Sequence, residues 1–152
     1  MDYFSAMKAA TINELKQELL NEKPAKLVEL CIRLARFKKE NKELLTYLLF
    51  EAHDTEAYIK SVIQEMDSNF ETINKSNAYF VKKTLRKILR ITHKFIRYSG
   101  SDIVATELLI HFCKTVKKMD KSITTNQVII NIYQNQLKKI NKAIAAMHED
   151  LQ

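Results

Sequence analysis

The sequence contains few of the residues that shape turns and loops, with one glycine, one proline and no tryptophan among 152 residues. Sheets of many strands usually need glycine and proline at their turns. Phosphate-cradling loops and nucleophile elbows each need several glycines close together, and here Gly100 stands alone. The composition therefore excludes these nucleotide-binding and hydrolase motifs and predicts an all-α fold.

Disulfide and membrane signals are also scarce. The two cysteines, Cys31 and Cys113, lie far apart in apolar helical contexts, which indicates buried thiols in a reducing compartment. The first ten residues lack the basic start and apolar segment of a signal peptide, and no apolar run reaches the roughly 18 residues that cross a bilayer. We therefore expect a cytoplasmic protein without membrane insertion.

The length and the apolar periodicity predict one helical domain over residues 1–152. A chain of this length can bury about 70% of its unfolded surface in a single core. Apolar residues recur three and four positions apart in about seven segments, which is typical of amphipathic helices. Consecutive segments form hairpins of uneven length. Two architectures stay open, an irregular HEAT-like stack of antiparallel helical hairpins or a compact multi-helix bundle.

Capping residues predict where the helices begin and end. The expected signals are a capping box at Thr11, a helix start at Pro24, N-caps at Asp54, Ser76 and either Ser101 or Asp102, and a left-handed end at Gly100. The helix from Pro24 is expected to be buried on more than one side. The apolar series over residues 44–52 is expected to lie centrally, and residues 117–125 to form the longest loop.

The last helix, from about Asn126, carries a heptad seam. Its members are Ile130, Tyr133, Leu137, Ile140, Ile144, Met147 and Leu151. Such a seam is typical either of a long helix packed against neighbours in its own chain or of a helix that pairs with its symmetry mate.

The net charge of +7 is distributed unevenly along the chain. Residues 1–75 carry 11 lysines and arginines against 13 acidic residues, whereas residues 76–152 carry 14 against 5. Acidic and basic halves can attract each other within the fold or between copies. The alternative is a basic surface reserved for an anionic partner.

The most strongly patterned stretch is Tyr79 to Tyr98, which contains no acidic residue. At about 100° per residue, its apolar side chains occupy one half of a helix and its basic side chains the other half. We call seven of these basic residues the basic surface: Lys82, Lys83, Arg86, Lys87, Arg90, Lys94 and Arg97. The aromatic residues of this helix are expected largely on its apolar side.

Four interpretations of the basic surface follow. It can be an ordinary solvated helix face, or it can bind an acidic protein or the acidic face of a second copy. It can also bind nucleic acid without sequence specificity, or a membrane surface. The acidic outer side of the fourth helix, over residues 65–71, is its natural counterpart within the chain.

Catalytic and metal-binding patterns have little support. The four histidines lack the spacing that puts two metal ligands on one helix face. Glu107 and His111 are expected to form at most a surface pair, and Cys31 and Cys113 to be packing residues. We therefore predict a protein that is not an enzyme, with no catalytic residues, cofactor, metal or small-molecule substrate.

Residues 27–52 (LVELCIRLARFKKENKELLTYLLFEA) carry a leucine-rich helix, a charged turn and a second helix that ends in an aromatic and leucine segment. This pattern resembles an uncharacterised bacterial family of small all-helical proteins. The resemblance implies a bacterial cytosolic protein and supplies no functional residues. The sequence favours a protein-interaction or scaffold module with a basic helix face, and the alternative is a nucleic-acid-binding protein.

Overall fold

The computed structural model describes residues 7–150. Regular structure in this range is helical throughout, which confirms the all-α prediction. The helices are α1 (Ile12–Leu20), α2 (Pro24–Phe37), α3 (Lys39–Thr46), α4 (Thr55–Glu71), α5 (Ala78–Ser99), α6 (Asp102–Lys117), the single-turn α7 (Lys121–Thr124) and α8 (Gln127–Asp150), with a π-helical turn over Tyr47–Glu51. The chain divides into two compact units between Leu45 and Thr46. A single domain over residues 1–152 stays a prediction.

The helices of the first unit begin where the sequence predicts. The Thr11 side-chain oxygen accepts a hydrogen bond from the Glu14 N–H at 3.2 Å, which caps α1. Pro24 occupies the first turn of α2, where its missing N–H costs nothing. Cap chemistry therefore sets both helix starts.

The expectation that α2 is buried on more than one side is wrong. Neither α1 nor α2 contains a buried residue, and Cys31 is exposed instead of buried. The helices of this unit have only 9, 14 and 8 residues. A unit this small has too few side chains to enclose an interior, so its apolar stripes stay open to solvent.

The expected central position of residues 44–52 is also wrong. Leu48, Leu49 and Phe50 are each more than half exposed. Tyr47 packs against the core of the second unit, with its ring centroid 4.7 Å from that of Tyr58. The π-helical turn contacts α4 and α5, and the chain turns away before Asp54, so one side of this apolar segment has no neighbour.

The second unit is a helical bundle around one apolar core. Helices α4, α5 and α6 each contact the other two, and α8 packs along α6, so this unit takes the compact-bundle form. On α6 the apolar side chains at helical spacing are buried, among them Val104, Leu108 and Phe112. Its most deeply buried side chains are Phe112, Met66, Leu85, Ile88, Leu108, Leu109, Ile129, Val81, Val104 and Thr92. Each large apolar side chain buried in this way contributes about 1.5–3 kcal/mol.

Most boundaries of the second unit match the predicted caps. The Asp54 side chain accepts from the Ala57 N–H at 3.0 Å and begins α4, and the Ser101 side chain caps α6. Gly100 has a left-handed backbone with φ of 59°, and its N–H donates to the Ile96 carbonyl. A residue with a side chain is strained in that conformation, which explains a glycine at this helix end.

The cap of α5 differs from the prediction. Asn77, rather than Ser76, has the extended backbone of an N-cap, and its side-chain oxygen accepts from the Phe80 N–H at 3.1 Å. Ser76 lies in the preceding turn, where its own N–H donates to Asn74. Asparagine and serine cap about equally well, so the course of the preceding turn decides which residue does so.

Residues 117–125 are not the plain loop that the sequence predicts. They contain α7. The Asp120 side chain caps the start of this helix by accepting a hydrogen bond from the Ser122 N–H, and Ile123 within the helix is buried. The free energy gained by burying one apolar side chain offsets the conformational entropy that is lost when a short connection becomes ordered. Ile123 is therefore part of the core, while most of the segment stays exposed.

The core-facing side of α8 is rotated from the predicted heptad seam. Its buried residues are Ile129, Gln136, Ile140 and Ala143. Of the seam residues, Ile140 is buried, Leu137 and Ile144 are exposed, and Leu151 lies outside the described residues. Gln136 faces inward because its amide has a partner on α5, a contact that the apolar pattern does not reveal.

Across residues 7–150, none of the helices combines the length and the hydrophobicity that crossing a bilayer requires.

The two cysteines should differ sharply in reactivity. Cys31 is exposed, whereas burial raises the pKa of the Cys113 thiol to about 11 and hides its sulfur. At neutral pH we expect a disulfide-exchange reagent to modify Cys31 rapidly and Cys113 only after denaturant is added. Equal rates for both thiols in the native protein, followed by mass spectrometry of the modified peptides, would contradict the described core.

Candidate polyanion-binding surface

Helix α5 has one buried side and one basic side. Val81, Leu85 and Thr92 are fully buried, and the Thr92 hydroxyl donates to the Ile88 carbonyl at 2.7 Å. Of the basic surface, Lys82 and Lys94 are half-buried, and the others are exposed: Lys83, Arg86, Lys87, Arg90 and Arg97. The structure thus brings all seven predicted residues to one helix face.

Two contacts fix the orientation of α5 within the bundle. The Tyr58 hydroxyl on α4 donates to the Phe95 carbonyl at 2.7 Å, and burial raises the pKa of Tyr58 well above its usual range. The phenol therefore stays protonated and keeps donating at physiological pH. The second contact joins His93 on α5 to Gln136 on α8, with 3.2 Å between His93 Nε2 and the amide oxygen.

The environment of His93 disfavours its protonated form. Burial lowers the pKa of His93, and the nearby charges of Lys139 and Arg97 lower it further, while the hydrogen bond to Gln136 opposes these effects. The Lys139 Nζ atom lies 3.3 Å from His93 Nε2. When Nε2 carries the ring proton it donates to the Gln136 amide oxygen, and when Nε2 is bare it can accept from the Lys139 ammonium. The atom therefore makes only one of these two hydrogen bonds at a time, and a protonated imidazole cannot accept from Lys139.

Six of the seven residues of the basic surface have no carboxylate partner in the part of the chain that the structure describes. Among residues 7–150, no carboxylate lies within 4.0 Å of a basic nitrogen of Lys82, Lys83, Arg86, Lys87, Arg90 or Arg97. The Lys94 Nζ atom lies 5.4 Å from the centroid of the Phe95 ring. Within the basic surface, four pairs of like charge are spaced four residues apart. Each pair lowers the stability of the helix by a few tenths of a kcal/mol.

On the acidic side of α4, Asp67 pairs with a histidine of α6 and not with the basic surface. Asp67 Oδ1 lies 2.7 Å from Nε2 of His111 on α6, and Glu65 and Glu71 are exposed. This finding replaces the expected surface pair of Glu107 with His111. Asp67 and His111 are 44 residues apart in the chain, so no local spacing signals their contact.

An aromatic pair stands at the start of the basic side. Tyr79 is 63% exposed and Phe80 is 41% exposed, so both aromatic residues of the first turn are open to solvent. Their ring centroids are 5.5 Å apart at an interplanar angle of 72°, an edge-to-face arrangement. Phe95 and Tyr98, by contrast, are half-buried as expected.

Tyr79 belongs to the same groove as four of the basic residues. This shallow groove has a volume of about 410 Å³ and is lined by Tyr79, Lys82, Lys83, Arg86 and Arg90. At about 100° and 1.5 Å per residue, Tyr79, Arg86, Arg90 and Arg97 fall within about 40° of one another along about 27 Å of helix. An aromatic ring therefore heads a line of guanidinium groups.

Other candidate residues do not converge on a site. His53 and His148 are exposed, and within the described part of the chain no three or more His, Cys, Asp and Glu side chains form a group that could hold a metal. The buried polar residues have partners within the fold: Thr92 donates to the Ile88 carbonyl and Thr106 to the Asp102 carbonyl on their own helices, and Gln136 contacts His93 on α5.

Comparisons with protein-family models, with curated proteins and with solved structures find no match to this chain. The resemblance of residues 27–52 to an uncharacterised bacterial family therefore stays a prediction.

Acidification should weaken the bundle through His93. In the unfolded chain this histidine takes up a proton near its ordinary pKa of 6.5, while the folded environment lowers that pKa. The unfolded state then binds more protons, so the free energy of unfolding falls as pH drops from about 6.5 through the lowered folded value. Denaturant titrations between pH 7 and pH 5 should show a smaller loss for His93→Gln than for the unaltered protein. Equal losses would mean that His93 is not held neutral at the contact between α5 and α8.

Proposed function

We propose that this protein is a non-catalytic helical interaction module that binds an anionic macromolecule through the basic surface. The observation that carries the proposal is the set of six lysines and arginines on one side of α5 without a carboxylate partner among the described residues. An acidic protein, the acidic face of a second copy and a nucleic acid all supply the complementary charge.

The repulsion between the like charges on α5 supports a binding role for the basic surface. Like charges on adjacent turns repel by about 0.2–0.5 kcal/mol per pair, and the residues opposite them are deeply buried. An anion that bridges several of these side chains relieves the repulsion and releases bound counterions. Arginine adds planar, bidentate hydrogen bonds to carboxylate or phosphate groups, and Arg86, Arg90 and Arg97 are all exposed.

The structural roles of the remaining polar groups support the non-catalytic part of the proposal. Burial raises the pKa of the Cys113 thiol, which opposes formation of a nucleophilic thiolate. His93 has Gln136 and Lys139 as partners at the contact between α5 and α8. His111 is held by Asp67 in a contact between two helices.

Charge reversal on α5 tests the proposal. The double variant Arg86→Glu with Arg90→Glu should elute from immobilised heparin at a clearly lower salt concentration than the unaltered protein. Its helicity should be retained, because Lys82 and Lys94 lie four residues away and can pair with the introduced carboxylates. Circular dichroism checks the fold of each variant.

A matched control separates the surface from the net charge. Lys138 and Lys142 on α8 are exposed and have the same four-residue spacing, so their reversal to glutamate changes the total charge by the same amount. This control should elute close to the unaltered protein. If both double variants lose the same affinity, binding follows net charge and the assignment to α5 is wrong.

A further inference from the structure

The feature that pairing with carboxylates leaves unexplained is the exposed Tyr79 ring in the basic groove. Carboxylates form ion pairs with the cations of the groove, which are Lys82, Lys83, Arg86 and Arg90. They gain nothing from contact with the face of an aromatic ring. Tyr79 is 63% exposed and lines the groove together with those cations. The neighbouring Phe80 ring meets it at 72°, which restricts how the phenol ring can turn.

A phosphate backbone with accessible bases satisfies both parts of this surface. Bases stack on aromatic rings without regard to sequence, and lysines and arginines beside the ring contact the phosphates. In a duplex the bases are already stacked on one another, so an isolated exposed tyrosine gains little there. The helical rise puts Arg86 about 10 Å and Arg90 about 16 Å along the axis from Tyr79. A strand with one base on Tyr79 can therefore place following phosphates on the arginines.

We propose that the basic surface binds single-stranded nucleic acid, with Tyr79 as the stacking platform and Lys82, Lys83, Arg86 and Arg90 as the phosphate contacts. This inference rests on the proposed function and names the partner of the same surface. Sequence preference is not expected, because neither phosphate contacts nor stacking on a ring depends on the identity of the base.

Binding of a fluorescent single-stranded oligothymidylate, measured by anisotropy, tests the role of the ring. Tyr79→Ala should weaken binding about 5- to 100-fold, as expected for the loss of one stacked base. Tyr79→Phe should bind about as tightly as the unaltered protein, because it keeps the ring face. Phe50→Ala, which removes an exposed aromatic outside α5, should have no effect. Tyr79→Ala should also leave binding of a duplex nearly unchanged.

A tryptophan reporter distinguishes nucleic acid from an acidic protein. The chain has no tryptophan, so Tyr79→Trp introduces a single fluorophore into the groove. Stacking of a base should quench this fluorescence when oligothymidylate is added. Polyglutamate, which offers carboxylates without bases, should bind more weakly at equal salt and cause no comparable quenching.

The outcomes separate this inference from the proposed function. If Tyr79→Ala binds oligothymidylate as tightly as the unaltered protein, or if polyglutamate binds more tightly, the single-strand inference is wrong while an anion-binding α5 stands. If Arg86→Glu with Arg90→Glu leaves binding of oligothymidylate, polyglutamate and heparin unchanged, the proposed function itself is wrong.

Discussion

Burial of the apolar side of α5 organises the second unit, because α4 and α6 both pack against this helix. Val81, Leu85 and Ile88 are all but inaccessible to solvent among α4, α6 and the neighbouring core. Each such side chain contributes about 1.5–3 kcal/mol, whereas each like-charge pair on the opposite side costs only a few tenths. The hydrophobic term therefore decides how α5 is rotated. The basic surface faces solvent as a consequence.

Polar contacts near the end of α5 define its position further. The Tyr58 hydroxyl ties α4 to the Phe95 carbonyl, and His93 ties α5 to Gln136 on α8. Apolar packing is tolerant of small shifts, but hydrogen bonds of this kind are directional. A surface that binds through several side chains gains affinity when its helix is held rigidly, because less conformational entropy is lost on association.

Sequence periodicity predicts the buried sides of α5 and α6 well, and it predicts the burial of α2 and of the π-helical turn poorly. The inner stripes of α5 and α6 follow from helical spacing, and Asp54, Gly100 and Ser101 are caps with local causes. The exposure of Leu48, Leu49 and Phe50 is not predicted, because residue spacing indicates how apolar a segment is but not whether other elements cover it. The sequence predicts that the seven residues of the basic surface share one face of α5, but it does not predict the exposure of Tyr79. That exposure depends on where α5 leaves the core at its first turn.

The central claim is that the basic side of α5, headed by Tyr79, is the binding surface of this protein. Backbone amide NMR during titration with single-stranded oligothymidylate tests it most directly, because the measurement locates the ligand without any substitution. We expect chemical-shift changes concentrated in residues 79–97, largest around Tyr79, Arg86 and Arg90. Changes concentrated in α1 and α2, or no change at low salt, would contradict it.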